Sequence, residues 1–271
     1  MIAAIRLCGS MNLKNIFNNL FQFDFKLFEQ KLLLSLFFCF VFDFLVCSYG
    51  LSHVFLGLLS GIETNSTQLS IFLVLDFIII SLILLEKIPI KSAIPYFFLS
   101  ITFKSFFDLV YTDGGHIILQ GVLFFSSLAL LTSNQDLKNK ILKFIVIYFL
   151  GVYFFSGYQK IWDSDYISGG AILKVLTTPA WNDQYFELFF NLFQSNPIIS
   201  KMIGCSVILF ELIGPILFIL ISKFRIVFLV MLIVFHTMTF ILMDLTTFSV
   251  FMIILAFGIL NPLIDRNIYL K

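Results

Sequence analysis

The sequence predicts an all-α fold, a polytopic bundle of about eight transmembrane helices with an extracytoplasmic loop that carries an interfacial helix. Three observations lead there. Hydrophobic residues make up 60% of the 271 residues and charged residues only 12%, where a soluble domain carries about a quarter. Apolar runs recur at about 32–59, 69–85, 94–110, 117–132, 141–160, 201–221, 225–243 and 246–260, each close to the ~20 residues that cross a bilayer as a helix. Basic residues also segregate between alternate connections, as they do in membrane proteins.

Taken in order, residues 1–31 read as a cytoplasmic segment. Within it Phe17, Leu20, Phe21, Phe25 and Phe28 recur among polar neighbours over 15–30, the spacing of a helix lying on the membrane surface. Arg6, Lys14, Asp24, Lys26 and Glu29 leave no apolar centre for a cleavable signal peptide, so the first span itself is expected to direct insertion. Residues 32–260 form the transmembrane domain, and 261–271 a short cytoplasmic tail with no large domain expected beyond it. The connection at about 161–200 is the only long one, and Gln184–Phe193 within it has the composition of an interfacial helix. The net charge of +1 leaves no footprint for nucleic acid, and the expected surroundings are lipid. Cys8, Cys39, Cys47 and Cys205 show neither metal-ligand spacing nor a pairing pattern, so no metal is expected.

With the N-terminus inside, the cytoplasmic side receives Arg6, Lys14, Lys26, Lys31, Lys87, Lys91, Lys138, Lys140, Lys143, Lys223, Arg225, Arg266 and Lys271, or 13 of the 17 basic residues. Both termini are then cytoplasmic. This orientation puts His53, His116, His236 and Lys160 toward the outer side.

Ionisable residues within spans cost about 2.5–3.5 kcal/mol each on insertion scales and so face protein or a cavity. Here they are Asp43, Asp76, Lys104, Asp108, Glu211, His236 and Asp244. Lys104 and Asp108 stand one helical turn apart and are expected to neutralise each other. Asp43 and Asp76 read either as packing carboxyls or as part of a proton path. Glu211 precedes Pro215, whose ring frees the carbonyl of residue 211; the break either borders a cavity or is a kink with Glu211 reaching for the interface. Lys160 ends the fifth apolar run behind Tyr153, Ser156 and Gly157, with Trp162 just beyond. Such a lysine either snorkels to lipid phosphate or, enclosed by apolar surface, serves as a neutral base. His116, at the entry to the fourth span, either fills space at the interface or donates to an anion.

The run Tyr153-Phe-Phe-Ser-Gly157-Tyr-Gln-Lys160-Ile, followed by Asp165-Tyr-Ile-Ser-Gly169, resembles the Tyr-Phe-x-Ala-Gly-x-x-Lys-Leu and Asp-Trp-x-x-Gly signature of the HTTM (horizontally transferred transmembrane) family, which includes vitamin K-dependent gamma-carboxylase. Gly115-His116-Ile-Ile-Leu119 is similar to its Asn-His-x-x-Leu segment, and Phe235-His236-Thr-Met238 and Phe248-Ser-Val-Phe-Met252 to its Phe-His-x-Met segment and following span, so the likeness spans about 100–260. The resemblance implies a membrane enzyme, carboxylase- or epoxidase-like, with Lys160 as the base toward a reduced quinone, His116 in the carboxylation step and His236 as a partner. Glu211, Tyr153 and Trp162 are the expected substrate contacts. The lysine-to-glycine spacing is one residue longer than in that signature, Tyr166 stands for its tryptophan and Gln159 for a second lysine.

Chain length and Asp113-Gly114-Gly115 are more similar to a short bacterial branch, the type B maturation proteins of sporulation-delaying toxins. That branch implies residence in the cytoplasmic (inner) membrane and a small secreted peptide as partner. The alternative to an enzyme is a non-catalytic factor for peptide-toxin maturation, export or immunity.

Overall fold

A computed structural model describes residues 24–55, 66–106, 114–177, 190–243 and 245–264. Among the described residues the chain is helical and contains no strand, the arrangement in which a segment in lipid satisfies every backbone polar group internally. The helices are α1 (Phe25–Phe55), α2 (Ser66–Leu84), α3 (Ile90–Phe106), α4 (Gly114–Leu131), α5 (Gln135–Trp162), the short α6 (Ser164–Ser168) and α7 (Gly170–Thr177), then α8 (Pro197–Leu220), α9 (Phe224–Met243) and α10 (Thr246–Ile259). A 3₁₀ turn, Asn261–Leu263, extends α10.

Each of the eight expected runs carries a helix in its described part, and α6 and α7 lie outside those runs. Six of them, α1, α4, α5, α8, α9 and α10 with its extension, are long and apolar enough to cross a membrane. The other two are shorter: α3 has 17 residues, and α2 is apolar over Ser70–Leu84. The chain is thus an all-α polytopic bundle and an integral membrane protein. Side chains such as Val74, Phe77, Phe106 and Leu131 stand more than half exposed on its flanks, a surface suited to lipid rather than water.

Local signals set the ends. Asn134 caps α5, its side chain accepting from the amide of Leu137 at 3.1 Å. Pro197 opens α8, where a missing N–H costs nothing. Arg225 is buried at the start of α9, and its guanidinium donates to the carbonyls of Phe218 and Leu263, binding two helix ends together.

α10 packs against α1, α4 and α9, while α5 packs against α4 and α8. Phenylalanine fills the interior. Phe28, Phe40, Phe97, Phe149, Phe218, Phe228 and Phe251 are fully enclosed, and the rings of Phe40 and Phe97 stack with centroids 3.9 Å apart.

One sequence expectation changes. Of the expected N-terminal surface helix, residues 25–30 belong to α1, and Phe28 is completely buried, because that face packs into the bundle. The remainder of that segment, up to residue 23, lies outside the described residues. So do Asp108, Trp181, residues 184–189 of the expected interfacial helix and Asp244. The described part of the long connection holds α6 and α7, and residues 190–195, which include the end of the expected interfacial helix, are helical. His53 falls near the end of α1.

Candidate functional site

Two buried polar centres lie inside this apolar bundle. The first is built on α5, where Tyr153, Ser156, Gly157 and Lys160 recur every three or four residues and so share one helix face. Gly157 lets α8 come close: a Cβ there would meet the Leu212 nitrogen at 2.8 Å and the Glu211 Cβ at 2.9 Å. That close approach brings Glu211 to Lys160. The ammonium donates to Glu211 Oε1 at 2.7 Å and Oε2 at 2.5 Å, and to Ser156 Oγ at 2.7 Å. Glu211 is almost completely buried, while Lys160 keeps 18% of its side chain exposed. The expectation of a lysine wrapped only in apolar surface therefore changes, since a carboxylate within the same low-dielectric region holds the amine as an ion pair.

A cover lies over this pair. Asp163 caps α6 by accepting from the Asp165 amide at 2.9 Å, and the Tyr166 ring sits 5.4 Å from the Lys160 amine. Burial first, then the Glu211 and Asp163 charges, push the Tyr166 phenol above its ordinary pKa. Gly169 ends α6 at φ 87°, a left-handed conformation natural to glycine. Its carbonyl accepts from Ser200 Oγ at 2.5 Å, which fastens the cover to α8.

Further into the bundle the Tyr153 hydroxyl meets His236 Nε2 at 2.7 Å. His236 is fully buried among Tyr153, Phe235 and Phe248, and its Nδ1 has no hydrogen-bond partner. Thr239 Oγ1 and Ser249 Oγ, 2.8 Å apart, tie α9 to α10 one turn away. On the lipid side of this region a groove of about 590 Å³ runs between α8 and α9. Its wall includes Phe210 and Phe235, the immediate neighbours of Glu211 and His236, together with Met202, Val207 and Val234.

The second centre joins α1, α2, α3 and α4. Lys104 Nζ donates to Asp43 Oδ2 and, at 3.0 Å, to Asp76 Oδ2. Asp76 Oδ1 accepts from the Tyr96 hydroxyl and from Ser100 Oγ, both at 2.8 Å. Asp43 Oδ1 faces His116 Nε2 at 3.2 Å. Lys104 thus finds partners on two other helices, while Asp108, its expected partner, lies outside the described residues. Asp43 and Asp76 are those partners.

The sequence-derived residues accordingly divide. Lys160, Glu211, Tyr153 and His236 gather along the α5, α8 and α9 faces. His116 belongs to the other centre, and its ring packs edge-on against Phe251 at 5.1 Å, while the His236 ring packs against Phe248 at 5.2 Å. Those two phenylalanines are three residues apart on α10, so the two imidazoles pack against neighbouring positions of one helix. Trp162 does not join the site: two residues past Lys160 it is about 200° around the helix, 75% exposed and paired with Tyr158. The sequence reading missed Tyr96 and Ser100; their positions four residues apart, before Lys104 on α3, were the available signal. No protein family, curated protein or solved structure matches the chain.

Proposed function

We propose that this integral membrane protein is an enzyme of the HTTM type, resident in a cytoplasmic (inner) membrane with both termini on the cytoplasmic side. Its Lys160–Glu211 pair takes a proton from a hydroquinone-like, lipid-soluble substrate. The observation that carries the reading is an ammonium–carboxylate pair, nearly enclosed in a membrane bundle, beside an imidazole–phenol pair and one residue from a lipid-facing groove.

The residues fit a reduced quinone. A phenolic head needs a base and a polar contact in a region otherwise free of water, and Lys160, Glu211 and the unpartnered Nδ1 of His236 supply these. Met202, Phe210, Val234 and Phe235 suit an apolar tail. When bound, a reduced quinone supplies the electrons for oxygen chemistry. The protein's own part is to move protons. Transfer of one proton from Lys160 to Glu211 leaves a neutral amine as the base, and Ser156 Oγ keeps that amine directed. Tyr153 orients His236, and Tyr166 screens the pair from water. His116 takes no part in this step. A small secreted peptide is the proposed acceptor of the subsequent modification.

The test is reaction of purified protein with reduced menaquinone or vitamin K under oxygen, with epoxide followed by mass spectrometry. Epoxide from the wild type, and none from folded Lys160→Ala or Glu211→Gln, supports the proposal. No epoxide from the wild type overturns the hydroquinone reading. One observation then favours a non-catalytic factor for peptide maturation, export or immunity: Lys104 and Lys160 are already paired with carboxylates and can serve as packing alone.

A further inference from the structure

We propose that the rings of Phe210 and Phe235 form a gate in the wall of the bundle, through which an uncharged, lipid-dissolved molecule passes sideways from the bilayer to the Lys160–Glu211 pair. The inference rests on the proposed chemistry of that pair for what passes, and on packing for how it passes.

The groove between α8 and α9 holds about 590 Å³, within the ~300–1,000 Å³ of small-molecule sites. Nothing along it invites a charge. Its wall is made of aliphatic, methionine and phenylalanine side chains, and its one hydroxyl, on Ser206, is donated to the Met202 carbonyl at 2.7 Å. A hydrocarbon chain or an uncharged ring is the class of molecule that such a wall accepts.

Phe210 and Phe235 belong to the wall, while the residues that follow them, Glu211 and His236, do not and are buried. A single step of about 100° around the helix thus leads from lipid to interior on both α8 and α9. The two rings meet across the helices with centroids 5.7 Å apart. From them ring contacts continue inward: Phe210 to Phe228 at 5.3 Å, Phe228 to Tyr153 at 6.2 Å, and Phe235 to His236 at 5.1 Å. Tyr153 shares the α5 face that carries Lys160.

These rings differ in their freedom. Phe228 is fully enclosed, and only the absence of a side chain at Gly214 admits it, since a Cβ there would meet Phe228 Cε2 at 2.5 Å. A ring packed so tightly has no space to swing. Phe210 and Phe235 are only partly buried and border the open volume of the groove, into which a change of χ1 can carry them. The outer pair can therefore part while the core behind it stays packed.

Carbodiimides test the route in the full chain in liposomes, because they tag a carboxyl and require no turnover. Dicyclohexylcarbodiimide dissolves in the bilayer, a charged carbodiimide stays in water, and peptide mass spectrometry reads the adduct on Glu211. The lipid-soluble reagent should modify Glu211 in the wild type and do so several-fold faster in Phe210→Ala and in Phe235→Ala. Met202→Ala, which widens the groove and leaves both rings, should keep the wild-type rate. The charged reagent should be indifferent to all three substitutions, and Gly169→Ala, which loosens the cover, should accelerate that reagent alone. The proposal is overturned if both alanine variants keep the wild-type rate, if Met202→Ala matches them, if both reagents accelerate together, or if Glu211 is never modified. Adduct without epoxide from the wild type would remove the hydroquinone and leave the gate. Epoxide with labelling indifferent to the rings would remove the gate alone.

Discussion

The Glu211 carboxylate holds the Lys160 ammonium with both oxygens, at 2.7 and 2.5 Å, from a helix 51 residues further along the chain. Removing one member leaves the other charge stranded in the bundle. Lys160→Met is expected to destabilise the protein by up to about 3–5 kcal/mol, and by less to the extent that residual exposure of Lys160 admits water. Adding Glu211→Leu should recover most of that loss. Thermal unfolding of the two singles and the double in one detergent checks this, and additive losses would show that the pair is not coupled.

Gly157 determines whether that pair can form. Any Cβ at this position meets backbone and Cβ atoms of α8, which cannot swing aside as a flexible side chain can. Gly157→Ala is expected to cost about 1–3 kcal/mol as α5 and α8 are forced apart. Ser156→Ala, which adds no atom, should be milder. A double electron–electron resonance distance between spin labels on the two helices should lengthen in Gly157→Ala and stay fixed in Ser156→Ala.

The cover formed by α6 and α7 depends on one backbone conformation. At Gly169, φ is 87°, and a Cβ would also lie 2.6 Å from the Lys201 amide nitrogen. Gly169→Ala should therefore combine about 1–2 kcal/mol of left-handed strain with a clash. The segment from residue 163 to 177 should then become sensitive to limited proteolysis, while the cores of α1, α4 and α10 stay protected. Equal protection in variant and wild type would count against this account.

Tyr153 is the single hydrogen-bond partner of the His236 ring among the described residues. Tyr153→Phe strips the ring of that bond and leaves both nitrogens unpaired in an apolar setting, at an expected cost of about 1–3 kcal/mol. Adding His236→Leu should restore stability while leaving the polar contact absent. Chemical denaturation of the three variants in mixed micelles provides the comparison.

The proposed orientation makes a separate prediction. Reporter fusions active only in the cytoplasm should be active at both the N-terminus and the C-terminus, and a fusion placed after residue 170 should be silent. Activity at 170 and silence at the termini would invert the topology. The chemistry assigned to Lys160 would then face the other compartment.

Much of the bundle was legible because hydrophobic runs of membrane length admit few structures. The helix from 135 to 162 and the one from 224 to 243 lie within a few residues of the apolar runs that announce them. Phe28 was misread because a surface helix and the first turns of a span share the same periodicity. The partners of the buried charges were harder still. Lys104 sits one turn from Asp108, so local spacing favoured that pair, yet its carboxylates come from residues 61 and 28 positions away. The order in which helices sit beside one another is not written in any single helix. Lys160 illustrates the same limit: its small neighbours announced a close approach, but not that Glu211 would be what approached. Asp43 and Asp76 were legible as buried carboxyls, read either as packing groups or as part of a proton path, but not as the partners of Lys104.

That shared cation bears on how the protein is made. As α1 and α2 leave the translocon, each brings an aspartate into the bilayer, at about 2.5–3.5 kcal/mol apiece, and α3 later brings the lysine that receives both. A nascent chain halted after α2 would carry two carboxylates with no ammonium to meet them. The first three helices are thus a unit of membrane insertion, and synthesis must reach Lys104 before any of them is at rest in lipid.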